Sequence, residues 1–164
     1  MKLSIFNKKL EMLQNAMINN ANEENKIYGD GINLVNNEHF TITHDFSDQL
    51  YMRKMIMKKN SFVISVYHHT DHFWFLLKGK IRVNTNGEII DHIAPCYEKS
   101  TKGAKRLITC VEDCVFVNIH KNPSNTNDLK QIEKDLYSFT LEEYNIKETN
   151  NKKNKLCQES QQEH

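Results

Sequence analysis

Residues 66–79 read VYHHTDHFWFLLKG, from Val66 to Gly79, and this stretch decides the fold. Two histidines, His68 and His72, stand at the mouth of an apolar run that ends in the turn Lys78-Gly79-Lys80. Side chains of a strand alternate between its two faces. An inward His72 therefore takes Trp74 and Leu76 inward with it, and an inward His68 takes Val66 and Ile64. His69 falls on the opposite side. The pattern is that of a β-barrel carrying polar groups on an apolar inner wall. HFWFLLK (72–78) is apolar on both faces and predicts a central strand covered on both sides.

Outward from this stretch, short strand patterns separated by turn residues run from about residue 38 to residue 120. HFTIT (39–43) is one. YMRKMIM (51–57) sets Met52 and Ile56 on one face and Arg53 on the other. SFVISVY (61–67) follows a polar turn. KIRVNT (80–85) and EIIDHI (88–93) flank Asn86-Gly87, a two-residue hairpin signal because both positions tolerate positive φ. AKRLITC and CVFVNIH predict a last hairpin around Val111-Glu112-Asp113. Many short strands without intervening helices predict an all-β sandwich or barrel.

The ends read differently. Over residues 3–25, Phe6, Leu10, Leu13 and Met17 form one apolar stripe, which predicts a helix. Such a helix lies across the barrel or pairs with a second subunit, and the first use is preferred. Gly29-Asp30-Gly31 then breaks the chain. After Pro123, Leu129, Ile132 and Leu136 share a helical face, and Thr140 with Glu143 has capping-box spacing. From Lys147 onward there is almost nothing to bury. The predicted organisation is 1–37 N-terminal helix and linker, 38–121 barrel, 122–149 C-terminal helical segment with one or two helices, and 150–164 a disordered polar tail.

The chain has 164 residues and a formal charge of +1, which gives no global field towards nucleic acid or an acidic membrane. No apolar run approaches a membrane span. The N-terminus lacks a signal-peptide pattern, so reduced thiols are expected at Cys96, Cys110, Cys114 and Cys157. Cys110 and Cys114 flank a turn and are read as buried free thiols rather than a disulfide or half a zinc clip. Arg53, Lys54, Lys58 and Lys59 lie on one hairpin and are read as a solvated face.

The His68/His72 stretch ending at Gly79, the Asn86-Gly87-Glu88 hairpin, Pro95, and Lys102-Gly103-Ala104-Lys105-Arg106 together resemble the cupin superfamily of small jelly-roll barrels. The likeness covers roughly residues 40–120 and is greatest to the short cupin-like proteins of bacteriophages. Anchored on Gly79, the family's first motif places its glutamate on His72, its second histidine on His68 and its first on Val66. Anchored on Gly103, the second motif places its proline on Thr101 and its histidine on Arg106. Two of four metal-ligand positions thus carry an imidazole, one is apolar and one is a guanidinium.

Three uses of this patch stay open. His68 and His72, with His120 from the last strand as a third ligand, suit a divalent transition metal such as zinc, iron, nickel or manganese. Arg106, with the two imidazoles and Trp74, suits a small anion or sugar acid through bidentate hydrogen bonds. Inward His and Arg side chains also serve as plugs bonded to backbone carbonyls. Asp71 has the place of a carboxylate that orients His72, but reads better as a solvated turn residue. His39, His44 and His92 read as packing or surface groups.

The resemblance implies a cupin-like jelly-roll barrel that pairs as a homodimer through its sheet edges. The favoured expectation is a non-catalytic phage accessory or structural protein that binds a small ligand or metal in the barrel. It would sit in the host cytoplasm or on the virion, with other phage proteins as partners and with neither membrane nor nucleic acid. The alternatives are a metal-dependent cupin-type enzyme using His68 and His72, and an anion-binding module using Arg106.

Overall fold

A computed structural model describes residues 5–20 and 39–162, with side chains to residue 154. Helix α1 spans Ile5–Asn19. The strands are β1 (Phe40–Ser47), β2 (Leu50–Met57), β3 (Phe62–Ile64), β4 (Tyr67–His68), β5 (His72–Lys78) and β6 (Lys80–Thr85). They continue as β7 (Glu88–Ile93), β8 (Cys96–Ser100), β9 (Leu107–Cys110) and β10 (Cys114–Lys121). Helix α2 (Leu129–Leu136), the two-residue β11 (Tyr137–Ser138) and helix α3 (Leu141–Gln162) complete the chain.

The strands form a five-stranded sheet, β1-β2-β10-β5-β8, and a four-stranded sheet, β3-β9-β6-β7. β4 pairs with β11 outside both. The chain crosses between the two sheets six times: after β2, after β3 by way of β4, and after β5, β7, β8 and β9. Among the described strands no ring of hydrogen bonds closes, so the expected closed barrel is corrected to two facing sheets joined by crossing turns. One crossing, between β7 and β8, passes through Ala94-Pro95, where proline has no N–H to extend a ladder. The inner faces meet in a core that includes Met57, Leu76, Ile81, Cys110 and Phe116, each 2% exposed or less. Burying such a side chain contributes about 1.5–3 kcal/mol.

Three strand expectations change. β9 and β10 do not form a hairpin: β9 pairs with β3 and β6, and β10 with β2 and β5. Val111–Asp113 instead steps from one sheet to the other. Val111 and Glu112 donate their N–H groups to the Lys80 carbonyl, and the Asp113 carboxylate accepts from Lys59 N and Lys58 Nζ. The expected strand 61–67 splits into β3 and β4, because Ser65 turns to Arg106 by both its N–H and its hydroxyl. β5 is covered on its inner face only; Phe73 and Leu77 on the outer face are 49% and 57% exposed. On β2, Arg53 shares the inward face with the buried Tyr51, Met55 and Met57, whereas Ile56 is 43% exposed.

The hairpin at Asn86-Gly87 forms as the dipeptide predicts, with Thr85 opposite Glu88 and both turn residues at positive φ. Cys110 and Cys114 are buried free thiols, their sulfurs 3.3 Å apart. The Thr140/Glu143 capping box also forms: Glu143 N donates to Thr140 Oγ1, and the Glu143 carboxylate accepts from Phe139 N and Thr140 N. α3 then runs on to Gln162, so the tail expected to be disordered from residue 150 is helical as far as it is described. A solvated helix needs good helix formers such as Lys, Glu and Gln, not apolar residues. The Gly29-Asp30-Gly31 break and Cys157's side chain lie outside the described residues, as does the start of the helix expected from residue 3.

Polar groups of α1 contact β4, the 101–106 loop and the start of α3. Glu11 accepts from Tyr67 Oη at 2.9 Å and from Leu141 N at 3.0 Å, and Gln14 accepts from Lys105 Nζ at 2.8 Å. Leu10 is buried while Leu13 is 40% exposed. Lys105 is 1% exposed and its ammonium also lies over the Tyr67 ring; burial lowers its pKa to about 8.

Gly79, where β5 turns into β6, has φ +83°, and a Cβ there would collide with the Asp113 carbonyl oxygen. Gly79→Ala is therefore expected to destabilise the fold by about 3 kcal/mol or more in a denaturant titration. An unchanged midpoint would show that this crossing tolerates a side chain.

Candidate metal centre

Two neighbouring rows of inward side chains cross the five-stranded sheet. In one, Tyr51 faces His120 across β2 and β10, and His72 faces Ser100 across β5 and β8. In the other, His44, Arg53, Asn118, Trp74 and Glu98 are successive partners from β1 to β8. His68 joins the first row from β4, which is anchored where His68 pairs with Tyr137 and where the His68 carbonyl accepts from Gly103 N at 2.9 Å.

The result is a cluster of three imidazoles. Candidate ligand atoms of His68, His72 and His120 all lie within 4.8 Å of one another. Ring centroids are 4.2 Å apart for His68–His72, 4.4 Å for His72–His120 and 5.2 Å for His68–His120. Tyr51 stacks on His120, and Tyr137 packs edge-on against both His68 and His120. α2 closes this end by packing Ile132 and Leu136 with Tyr51 and Tyr137.

The Nδ1 atoms of all three histidines are buried without a hydrogen-bond partner among the described residues. The expected third ligand, His120, is thus brought to the other two, while the His72 ring also meets the Thr70 backbone, which acts against the lowering of its pKa. Burial lowers all three pKa values, His72 to about 4 and the others well below the ordinary imidazole value. Neighbouring imidazoles and Arg53 lower His68 and His120 further, and Arg106 does so for His68 and His72. The three rings are neutral at pH 7, the state in which imidazole ligates a metal.

The other two expected ligand-binding residues stand beside this cluster. Arg106 donates from Nη1 to Oγ of Ser100, the residue opposite His72, at 2.6 Å. Trp74 stacks on Phe116 and meets His92 edge-on. Both line a cavity of about 120 Å³ between the sheets, with Val83, Thr85, Glu88, Ile90, His92 and Glu98. Asp71 is held away from the imidazoles by Lys99, at 2.6 Å, and by Lys102 N. His44 bonds Tyr51 Oη through Nδ1 at 2.8 Å.

Arg53, read from the sequence as part of a solvated basic face, is half-buried on the inward face of β2. Its spacing of two and four from Met55 and Met57 carries the signal for an inward position. His69 does point away from the cluster, as alternation predicts, but it is not idle. Its Nε2 lies 2.8 Å from Ser138 Oγ and its Nδ1 3.0 Å from Glu148 Oε1, with Tyr144 stacked on the ring. This is the order of groups that activates a serine nucleophile. Here Ser138 is 5% exposed within the β4–β11 pair, and the following N–H, of Phe139, is engaged by Glu143. The trio clamps α3 and β11 onto β4.

No protein-family model matches the chain, and neither does any curated protein. Among solved structures, the chain is similar to a cupin-2 domain protein of Shewanella frigidimarina, with 15% identity and a TM-score of 0.45 over 57% of this chain and 99% of that one. It is also similar to EutQ of Clostridium difficile, with 13% identity and a TM-score of 0.44 over 51% of this chain and 69% of that one. A third is KdgF of a Halomonas species, with 11% identity and a TM-score of 0.45 over 55% of this chain and 81% of that one. Likeness at this distance transfers no residue's role, and the site stands on its own geometry. Among the described residues no helix is long and apolar enough to cross a membrane.

An imidazole depressed in the folded state stays neutral while its unfolded counterpart, near 6.5, takes up a proton. Stability of the metal-free protein is therefore full above pH 6.5 and falls as pH drops towards 4. His72 alone accounts for about 3 kcal/mol of that loss. Denaturant titrations at pH 7, 5.5 and 4.5 check this, and a flat profile would contradict neutral buried rings.

Proposed function

We propose that this is a cupin-like protein that holds one divalent transition-metal ion on His68, His72 and His120, and binds a small molecule in the cavity lined by Trp74 and Arg106. The observation that carries the reading is the set of three buried, unpartnered Nδ1 atoms within a cluster whose candidate ligand atoms lie 4.8 Å or less apart. A buried polar atom without a partner costs about 1–3 kcal/mol, and a metal ion is the partner that three converging neutral imidazoles suit. The donor set favours zinc, copper, nickel or iron over manganese, which prefers carboxylate oxygens. A bound ion would supply Lewis acidity to whatever reaches it.

The chain's own residues do the rest. Tyr51 and Tyr137 hold the rings in place, β4–β11 pairing keeps His68 at the end of the sandwich, and α2 excludes water from that side. The cavity with Trp74 and Arg106 is linked to the cluster through Ser100, the residue opposite His72. Arg106, bonded to Ser100 opposite His72, is placed to orient an anionic or hydroxylated group.

Untagged protein is expected to contain about one metal ion per chain by elemental analysis. Zinc at a hundred times its dissociation constant should add about 2.7 kcal/mol of stability to the metal-free form. Both effects should disappear in His120→Ala, the variant that tests the ligand outside the family motif. Metal content unchanged in that variant, or no metal uptake by the native chain, would overturn the assignment.

A further inference from the structure

Three neutral imidazoles bring no negative charge of their own to the proposed metal centre; two guanidinium groups stand beside it, with Glu98 acting on Arg106 and Glu133 on the Tyr51 and Tyr137 hydroxyls. We propose that the centre takes up its ion together with a small carboxylate, and that Arg53 is the group that holds this anion. The inference rests on the metal reading above and adds to it the class of ligand and the residue that selects it.

Arg53 projects from the inward face of β2, opposite Asn118 and two residues from Tyr51, the cross-strand partner of His120. Its charge reaches His68 and His120 as well as the hydroxyls of Tyr51 and Tyr137. Its guanidinium meets the Tyr137 hydroxyl, while its Nε is buried and has no hydrogen-bond partner among the described residues. The ion pairs found among those residues join other groups, among them Lys58–Asp113, Lys80–Asp91, Lys99–Asp71 and Lys102–Glu148, and none includes Arg53. A guanidinium offers five donors in a rigid planar fork that matches a carboxylate. Here that fork stands at the metal cluster with a donor unmatched.

Charge gives the same answer. A divalent ion on neutral ligands next to Arg53 and Arg106 gathers like charge in a partly buried site, where attraction and repulsion are little screened. An anion shared between the ion and Arg53 offsets both charges and supplies the acceptor that Nε lacks. Metal and carboxylate then raise each other's affinity by the same factor.

The test uses cobalt(II), whose visible bands respond to a change of ligand, and sodium acetate as the carboxylate. Metal-free protein is loaded with cobalt in carboxylate-free buffer and titrated with acetate at constant ionic strength. The native chain should show a saturable band shift, and acetate should tighten cobalt binding. Arg53→Met should still bind cobalt but need about tenfold or more acetate for the same shift. Arg53→Lys, which keeps the charge without the fork, should fall between, and carries the test if circular dichroism shows that Arg53→Met is unfolded.

An equal acetate response in the native chain and the Arg53 variants, with cobalt bound in all, overturns this inference and leaves the metal reading standing. A response lost in Arg106→Met but kept in Arg53→Met moves the anion to the other guanidinium and likewise overturns it. A native chain that binds no cobalt removes the metal reading and this inference with it.

Discussion

Three imidazoles packed with ring centroids 4.2–5.2 Å apart and buried at one end of the sandwich have to be uncharged. The rest of that end is arranged around this constraint. Tyr51 and Tyr137 meet the rings with aromatic faces and edges, and α2 covers them with Ile132 and Leu136. A protonated ring here would face two others and a guanidinium at short range. Neutral rings with unmatched nitrogens are the ligands a transition metal takes without first displacing protons.

Cross-strand register is what converts the linear sequence into this cluster. His72 and His120 lie on adjacent antiparallel strands in one row of inward side chains, so pairing of β5 with β10 brings them together. His68 needs a separate device, because the chain leaves the sheet at Ser65. Pairing of β4 with β11, the Gly103 N–H on the His68 carbonyl, and the His69–Ser138–Glu148 clamp on the other side of β4 hold it there. The C-terminal helices are thus part of the site's frame, although they contribute no ligand.

Much of this was legible in the sequence, where the information is local. Alternation along 66–79 gave the inward faces of His68, His72 and Trp74, Asn86-Gly87 gave a hairpin, and Thr140 with Glu143 gave a helix start. What stayed hidden depends on which strands become neighbours. The three-residue link 111–113 looks like a hairpin turn, yet it crosses between sheets because its polar groups find Lys80, Lys58 and Lys59. The apolar outer face of β5 suggested a covered strand, and burial shows that only one face is covered. Arg53 looked like one charge of a basic run; its inward place follows from the burial of Met55 and Met57. His120 had the right chemistry, but only the β2–β10–β5 order shows that it meets the other two histidines.

X-ray absorption of the zinc-loaded protein tests the central claim most directly. The account predicts a zinc edge whose nearest shell holds three imidazole nitrogens at about 2.0–2.1 Å, with the multiple-scattering signature of histidine rings. A shell containing sulfur near about 2.3 Å, from cysteines such as Cys110 and Cys114, or one made of oxygens alone, would contradict it.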